Sequence, residues 1–221
     1  DADSFNVSSP SSFNLNGGAG GDVFDVDAAL TGVIDGEGGG DTLEGDAIED
    51  VVLSGSDADG FSGTEGDVSG GFDGITSLAG DGSGTLTGRA VPSTWDLDGT
   101  PTYNDGNSLS IGGFATLQGE LDADSFNVSS PSSFNLNGGG GGDVFDVDAA
   151  LTGAIDGEAG GDTLEGDAIE DVALTTASDA DGATGTEASV TGGFDGINTL
   201  TGDGTGTLTG RAVPSTWDLD G

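Results

Sequence analysis

Residues 1–53 return at 122–174 with only four changes: Ala19/Gly140, Val33/Ala154, Gly38/Ala159 and Val52/Ala173. A chain that repeats itself this closely at a period of 121 has to fold in a way that lets copies be added to one another. The copies diverge over Ser54–Gly71, where the second carries one extra residue, and converge again at Phe72–Ile75, copied as Phe194–Ile197. The match continues to Trp95–Gly99, copied as Trp217–Gly221, and the sequence stops before any counterpart of Thr100–Leu121. The chain is therefore expected to be a window on a longer tandem array. Residues 1–121 form one repeat, and 122–221 form a second, truncated repeat continuous with it.

A shorter period lies inside each copy. Asp3, Asp22 and Asp41 are 19 residues apart, and Phe5, Phe24 and Leu43 follow each by two. Leu15, Ile34 and Leu53 fall midway, so the apolar ladder steps by 10 and 9 in turn. Around the rungs apolar and polar residues alternate, as in Phe5/Val7, Phe13/Leu15, Phe24/Val26, Trp95/Leu97 and Leu109/Ile111. That is the period of a strand with one face buried. The Gly and Asp clusters between the rungs read as turns. With 46 glycines in 221 residues and no sustained 3.6-residue stripe, no helix is expected, and the fold class is all-β.

Related turns at Asp22, Asp41, Gly84, Asp124 and Asp143 are separated by 19, 43, 40 and 19 residues. Halving the two long intervals gives about six coils of about 20 residues, an axial repeat of about 29 Å at ~4.8 Å per coil. Coils that share a continuous core only when stacked make a β-solenoid, either a β-helix or a β-roll. The ladder of 9 and 10 favours two faces.

The charge narrows the reading further. Asp and Glu number 41 against two Arg and no Lys, for a formal net charge of −39. About eleven such coils would make a rod of about 53 Å, with one charge per ~1.4 Å of axis. Duplex DNA, at one per about 1.7 Å, condenses counter-ions at a comparable density. Such a chain repels itself in dilute salt, and the Debye length falls to about 3 Å at 1 M. The near-absence of cations resembles the proteins of extreme halophiles. With no Cys, His or Met, disulfides, thiolate and imidazole metal sites and Ser-His-Asp chemistry are excluded. Nucleic acid is not an expected partner, because its phosphates need Lys and Arg. No run of about 18 apolar residues is present, so no membrane insertion is expected. Neither an initiator Met nor a signal peptide opens the chain, as expected of one processed or cut from something longer.

The turns carry the strongest motif. Gly17-Gly18-Ala19-Gly20-Gly21-Asp22-Val23-Phe24-Asp25 fits G-G-x-G-x-D-x-U-x and recurs at Gly138–Asp146. Gly36–Leu43 fits with one Gly replaced, whereas Leu117–Phe126 keeps the Asp and Phe without the glycines. In these residues, and in Phe72-Asp-Gly-Ile75-Thr-Ser-Leu78-Ala-Gly80 and Phe194–Gly202, the chain resembles RTX (hemolysin-type) repeats. It resembles more closely the giant repetitive adhesin-like β-solenoid proteins of microbial surfaces. The resemblance implies a secreted or surface location and a structural or adhesive role. One departure matters: RTX rolls repeat the nonapeptide back to back, whereas these turns recur at about 19 residues, so ion sites do not transfer whole.

Asp3, Asp22 and Asp41, with Asp124, Asp143 and Asp162, are the candidate metal ligands. Stacked coils would hold them about 4.8 Å apart, where like charges raise one another's pKa or recruit a cation. Oxygen-rich turns of this kind suit Ca²⁺, the one cofactor considered. The competing reading is conformational: Gly supplies positive φ and Asp bonds its own backbone. Asp57-Ala-Asp59-Gly60 and Asp96-Leu-Asp98-Gly99, copied at 179–182 and 218–221, are weaker candidates that read as solvated acidic loops. Trp95 and Trp217 read as core, and Arg89 and Arg211 as partners of structural ion pairs. Asn6-Val7-Ser8 and Asn127-Val128-Ser129 are glycosylation sequons with Asn6 turned outward.

The function expected is structural: a segment of an extracellular filament, surface stalk or adhesin of a halophile. It would be built from repeats that join covalently or end to end, with solvent cations around it and a cell-surface or glycan partner. The alternative is an RTX-like calcium-binding module. A third reading, a polysaccharide-active β-helix enzyme, rests on fold analogy alone. No enzyme activity is expected from a chain in which everything is duplicated and neither Lys nor His is offered as a base.

Overall fold

The alternating segments pair in register with one another 19 residues on. In the computed structural model, which describes residues 1–176 and 180–214, Phe5 pairs with Phe24 and Phe24 with Leu43 on parallel strands. In the second copy Phe126 pairs with Phe145 and Phe145 with Leu164. These form one inward column. The Phe5 and Phe24 rings stack 4.9 Å apart at 7°, and those of Phe126 and Phe145 at 5.0 Å and 11°. The intermediate rungs form a second column, Leu15 against Ile34 and Leu136 against Ile155. The ladder of 9 and 10 is thus a chain stepping between two sheets.

The protein is all-β, with no helix among the described residues. Among the described residues one sheet has eleven strands and the other thirteen. One contiguous buried cluster draws on both, with Phe24, Phe126, Leu30, Ile34, Leu136 and Ile155 at 0–1% exposure. The glycine-rich turns also pair: Ala19–Gly20 lies parallel to Gly38–Gly39, and Gly140–Gly141 to Ala159–Gly160. Backbones approach closely there. Gly39 has φ 156, and a Cβ on it would be 1.3 Å from the Gly20 carbonyl oxygen.

The two long intervals do not split into coils as the turn spacing suggested. In the first sheet the order runs Ser4–Val7, Val23–Val26, Thr42–Glu44, Ser77–Ala79, Ser108–Gly112, Thr102–Asn104, Thr94–Asp96 and then Ser125–Val128. The chain jumps ahead to Thr94–Asp96 and returns antiparallel through Thr102–Asn104, pairing Trp95 with Tyr103 and Tyr103 with Leu109. The second sheet does the same. Val51–Ser56 is laid down two strands ahead, and Phe61–Glu65 and Phe72–Ile75 fold back until Phe72 meets Ile34. Each sheet therefore gains seven strands per copy, where about six coils were expected.

Both D-x-D-G segments are turns of these fold-backs. Asp57 N–H donates to Gly60 O at 2.9 Å and Asp59 N–H to Asp57 Oδ1 at 3.0 Å. Asp98 Oδ1 accepts from Thr100 N–H and Oγ–H at 3.0 and 2.9 Å. Leu53 consequently leaves the parallel ladder and faces Gly63. The second copy repeats the first fold-back with Val172–Leu174, Ala183–Glu187 and Val190–Ile197. Both sheets run through the junction of the copies, Trp95 pairing with Phe126 and Leu117 with Leu136.

Candidate functional site

The sequence-identified aspartates stand just before strands of the first sheet, with Asp22, Asp41, Asp143 and Asp162 at the exit of a glycine-rich turn. Asp22, Asp41, Asp124, Asp143 and Asp162 are buried, at 0–2% exposure, and Asp3 at the sheet edge is exposed. The buried side chains form a ladder between the entrances of neighbouring strands. Asp22 Oδ1 accepts Asp3 N–H at 2.6 Å and Asp41 Oδ1 accepts Asp22 N–H at 2.8 Å. In the second copy Asp143 Oδ1 accepts Asp124 N–H at 2.8 Å and Asp162 Oδ1 accepts Asp143 N–H at 2.9 Å. Two other residues extend it. Asn198 Oδ1 accepts Asp162 N–H at 2.8 Å, and Asp124 Oδ1 accepts Ser93 N–H and Oγ–H at 2.8 and 2.6 Å. Each of the five buried aspartates thus satisfies a backbone donor at a strand entrance, the kind of group that is costly to bury unpaired.

The second oxygen of these carboxyls is different. Oδ2 of Asp22, Asp41, Asp143 and Asp162 is buried with no hydrogen-bond partner among the described residues. Each is packed against a glycine five residues earlier. A Cβ on Gly17 would be 2.4 Å from Asp22 Oδ2, and one on Gly138 would be 2.4 Å from Asp143 Oδ2. The same holds at Gly36, Gly119 and Gly157, at 2.8, 2.5 and 2.9 Å from Asp41, Asp124 and Asp162. The G-x-x-x-x-D spacing of the turns is therefore steric: the carboxyl occupies the space where a side chain would begin.

Burial raises the pKa of Asp41, Asp124 and Asp162 above the ordinary carboxylate range, and that of Asp143 to about 6. Neighbouring carboxyls reinforce this, Asp22 acting on Asp41 and Asp162 and Asp124 on Asp143, while the accepted backbone N–H bonds oppose it. Among the described residues no three acidic side chains converge as a metal ion would require.

The other candidates are placed as follows. Asp57 and Asp59, with Asp35, Glu37 and Asp73, line a cavity of about 370 Å³, and Asp156, Glu158, Asp181 and Asp195 line its counterpart of about 290 Å³. Asp96 Oδ1 accepts from Asn127 Nδ2 at 2.7 Å, half-burying one sequon asparagine, whereas Asn6 is exposed and donates to Asp25 Oδ2 at 2.7 Å. Trp95 is fully buried, stacked at 5.6 Å on Phe126 and edge-on at 4.6 Å to Tyr103. Arg89 makes the expected ion pair, 2.6 Å from Asp105 Oδ2. Asp179, Trp217 and the copy at 218–221 lie outside the described residues.

Sequence reading missed the surroundings of that ion pair. Asp105, whose side chain has no exposure, also accepts from Ser56 Oγ at 3.0 Å, and Arg89 N–H donates to Tyr103 Oη at 3.0 Å. The network ties both fold-backs together. It also missed Glu65, a buried acid whose Oε2 accepts Asp67 and Val68 N–H at 2.6 and 2.9 Å. An acid two residues before a turn donor was the available signal.

No family model, curated protein or solved structure matches this chain.

Proposed function

We propose that the chain is a stretch of an acidic β-solenoid serving as a structural rod, part of an extracellular filament, surface stalk or adhesin of a halophile. The observation that carries this reading is the junction. Trp95–Phe126 and Leu117–Leu136 pair across it with the parallel register found inside each copy, so adding a repeat lengthens both sheets without a break. Length and surface are then the working parts of the molecule. Seven strands per copy predict growth of about 34 Å for each added 121-residue repeat. Small-angle scattering at high salt on chains with two, three and four repeats tests this. A radius of gyration growing with the cube root of mass would mean globular packing and end the reading.

A second reading, calcium-assisted folding, draws on the partnerless Oδ2 of Asp22, Asp41, Asp143 and Asp162. It requires that millimolar Ca²⁺ raise the melting temperature at fixed ionic strength, since a ligand bound to the native state alone adds roughly 2.7 kcal/mol at a hundredfold excess over Kd. Changing Asp22 and Asp143 to Asn should then remove the increment. Equal melting curves in Ca²⁺ and in chelator would leave the structural rod alone.

A further inference from the structure

Eleven aspartates of the chain are followed directly by glycine. At four of these steps the glycine N–H is donated away from the aspartate. Gly36 gives it to Asp73 O at 2.9 Å, Gly157 to Asp195 O at 2.9 Å and Gly82 to Gly113 O at 2.7 Å, while Gly106 gives it to Asn104 Oδ1 at 2.9 Å. At Asp73-Gly74 and Asp195-Gly196 the N–H turns back on the preceding side chain. Gly74 N–H donates to Asp73 Oδ1 at 3.0 Å, and Gly196 N–H to Asp195 Oδ1 at 3.0 Å. Thr184 Oγ–H donates to the same Asp195 oxygen.

The fold imposes this geometry in both copies. Each step lies where a strand slips its antiparallel register, between Phe72 and Ile75 and between Phe194 and Ile197. Gly74 and Gly196 stand at φ 70 and 71, in the left-handed region that favours glycine. Phe72, Ile75, Phe194 and Ile197, at 0–4% exposure, anchor the chain on either side, whereas Asp73 and Asp195 are exposed. A carboxyl group is thus held beside the amide nitrogen that follows it, with no Cβ on the next residue to hinder their approach.

We propose that Asp73 and Asp195 are sites of spontaneous covalent modification, at which the chain rearranges through a succinimide to a β-linked isoaspartate. In the acid form of the carboxyl, the glycine nitrogen bonds to Cγ, and one carboxyl oxygen leaves as water with the amide and carboxyl protons. Water then adds to either carbonyl of the five-membered ring. Breaking the Cγ–N bond restores aspartate, and breaking the other C–N bond routes the main chain through Cβ and Cγ. One water is lost and one is taken up, and nothing is oxidised or reduced. The added backbone carbon separates two anchored residues, Phe72 against Ile34 and Ile75 against Phe61, and so slackens that fold-back. The inference stands apart from the rod reading.

The test incubates the folded 221-residue chain at neutral pH in molar NaCl and follows isoaspartate at each Asp-Gly step by proteolysis and electron-transfer mass spectrometry. It should form at Asp73 and Asp195 roughly tenfold faster than at Asp35, Asp81, Asp105 and Asp156, a small part of what proximity can give a held nucleophile. In denaturant the six rates should converge. Asp73→Glu, which would have to close a larger ring, should remove the signal at 73 and leave that at Asp195. Equal rates at the six steps of the folded chain overturn the proposal. So do rates at Asp73 and Asp195 that are lower in the folded chain than in denaturant, because the strands would then be protecting these bonds.

Discussion

A buried carboxyl that accepts one backbone N–H and leaves its other oxygen unpaired is better satisfied with a proton than without. For Asp143, whose folded pKa is raised to about 6, the stability it contributes is fully present below its unfolded value and is lost as pH rises through about 6. Asp41, Asp124 and Asp162 are displaced in the same direction. Asp81, Asp98 and Asp203, lowered by bonds from Ser83, Thr100 and Thr205, act oppositely, and only at more acid pH. Between about pH 5 and 8 at fixed high salt, the melting temperature should therefore fall with rising pH. Replacing Asp143 and Asp162 by Asn keeps the N–H acceptor and should flatten that slope. A wild-type curve that rises across the window would show that the column is ionised throughout. At this scale the sequence was partly legible. The 19-residue spacing of Asp3, Asp22 and Asp41 told that the carboxyls stack. Their direction was hidden, because Oδ1 bonds a donor 19 residues earlier and no local pattern records which way a side chain reaches.

Among elements, the parallel strands were readable because alternation and period agree: Phe24 and Leu43 lie in neighbouring strands as their spacing requires. The fold-backs were not, because a returning antiparallel strand keeps the same alternation as a forward one. Trp95, Tyr103 and Leu109 look like rungs whichever way the chain runs. The intervals of 43 and 40 residues suit two coils as well as one coil and an excursion. Asp57–Gly60 and Asp96–Gly99 between alternating runs were the hairpin signals that could have separated the two. These elements are pinned by the Arg89–Asp105 pair, in which the carboxylate is fully buried and the guanidinium side chain is 26% exposed. Asp105→Ala should cost on the order of 2–3 kcal/mol, below the roughly 3–5 kcal/mol of a fully buried pair because water reaches the arginine. Chemical denaturation measures it. A loss within about 0.5 kcal/mol of zero would mean the fold-backs hold without this tie.

For the whole molecule, the proposed rod would run to about 62 Å over the thirteen described strands of the longer sheet. Its net charge of −39 is spread at one per about 1.6 Å, close to the ~1.7 Å of duplex DNA. Folding concentrates that charge, so cations favour the folded state. The melting temperature should climb steeply between about 10 mM and about 3 M NaCl as the Debye length contracts to a few ångström. Equal melting temperatures at the two concentrations would remove the halophilic reading. The forward jumps have a mechanical consequence. Under tension along the chain, a coil laid down in order, such as residues 23–42, can peel as about 19 residues, releasing ~65 Å of contour. Thr94–Asp96, Thr102–Asn104 and Ser108–Gly112 are interleaved with strands on either side and have to leave together, as about 40 residues and ~140 Å. A stack of plain coils yields like a zipper, tooth by tooth. On the proposed rod the fold-back in each sheet of the first copy would act as a catch, so that short and long slips alternate as it is pulled.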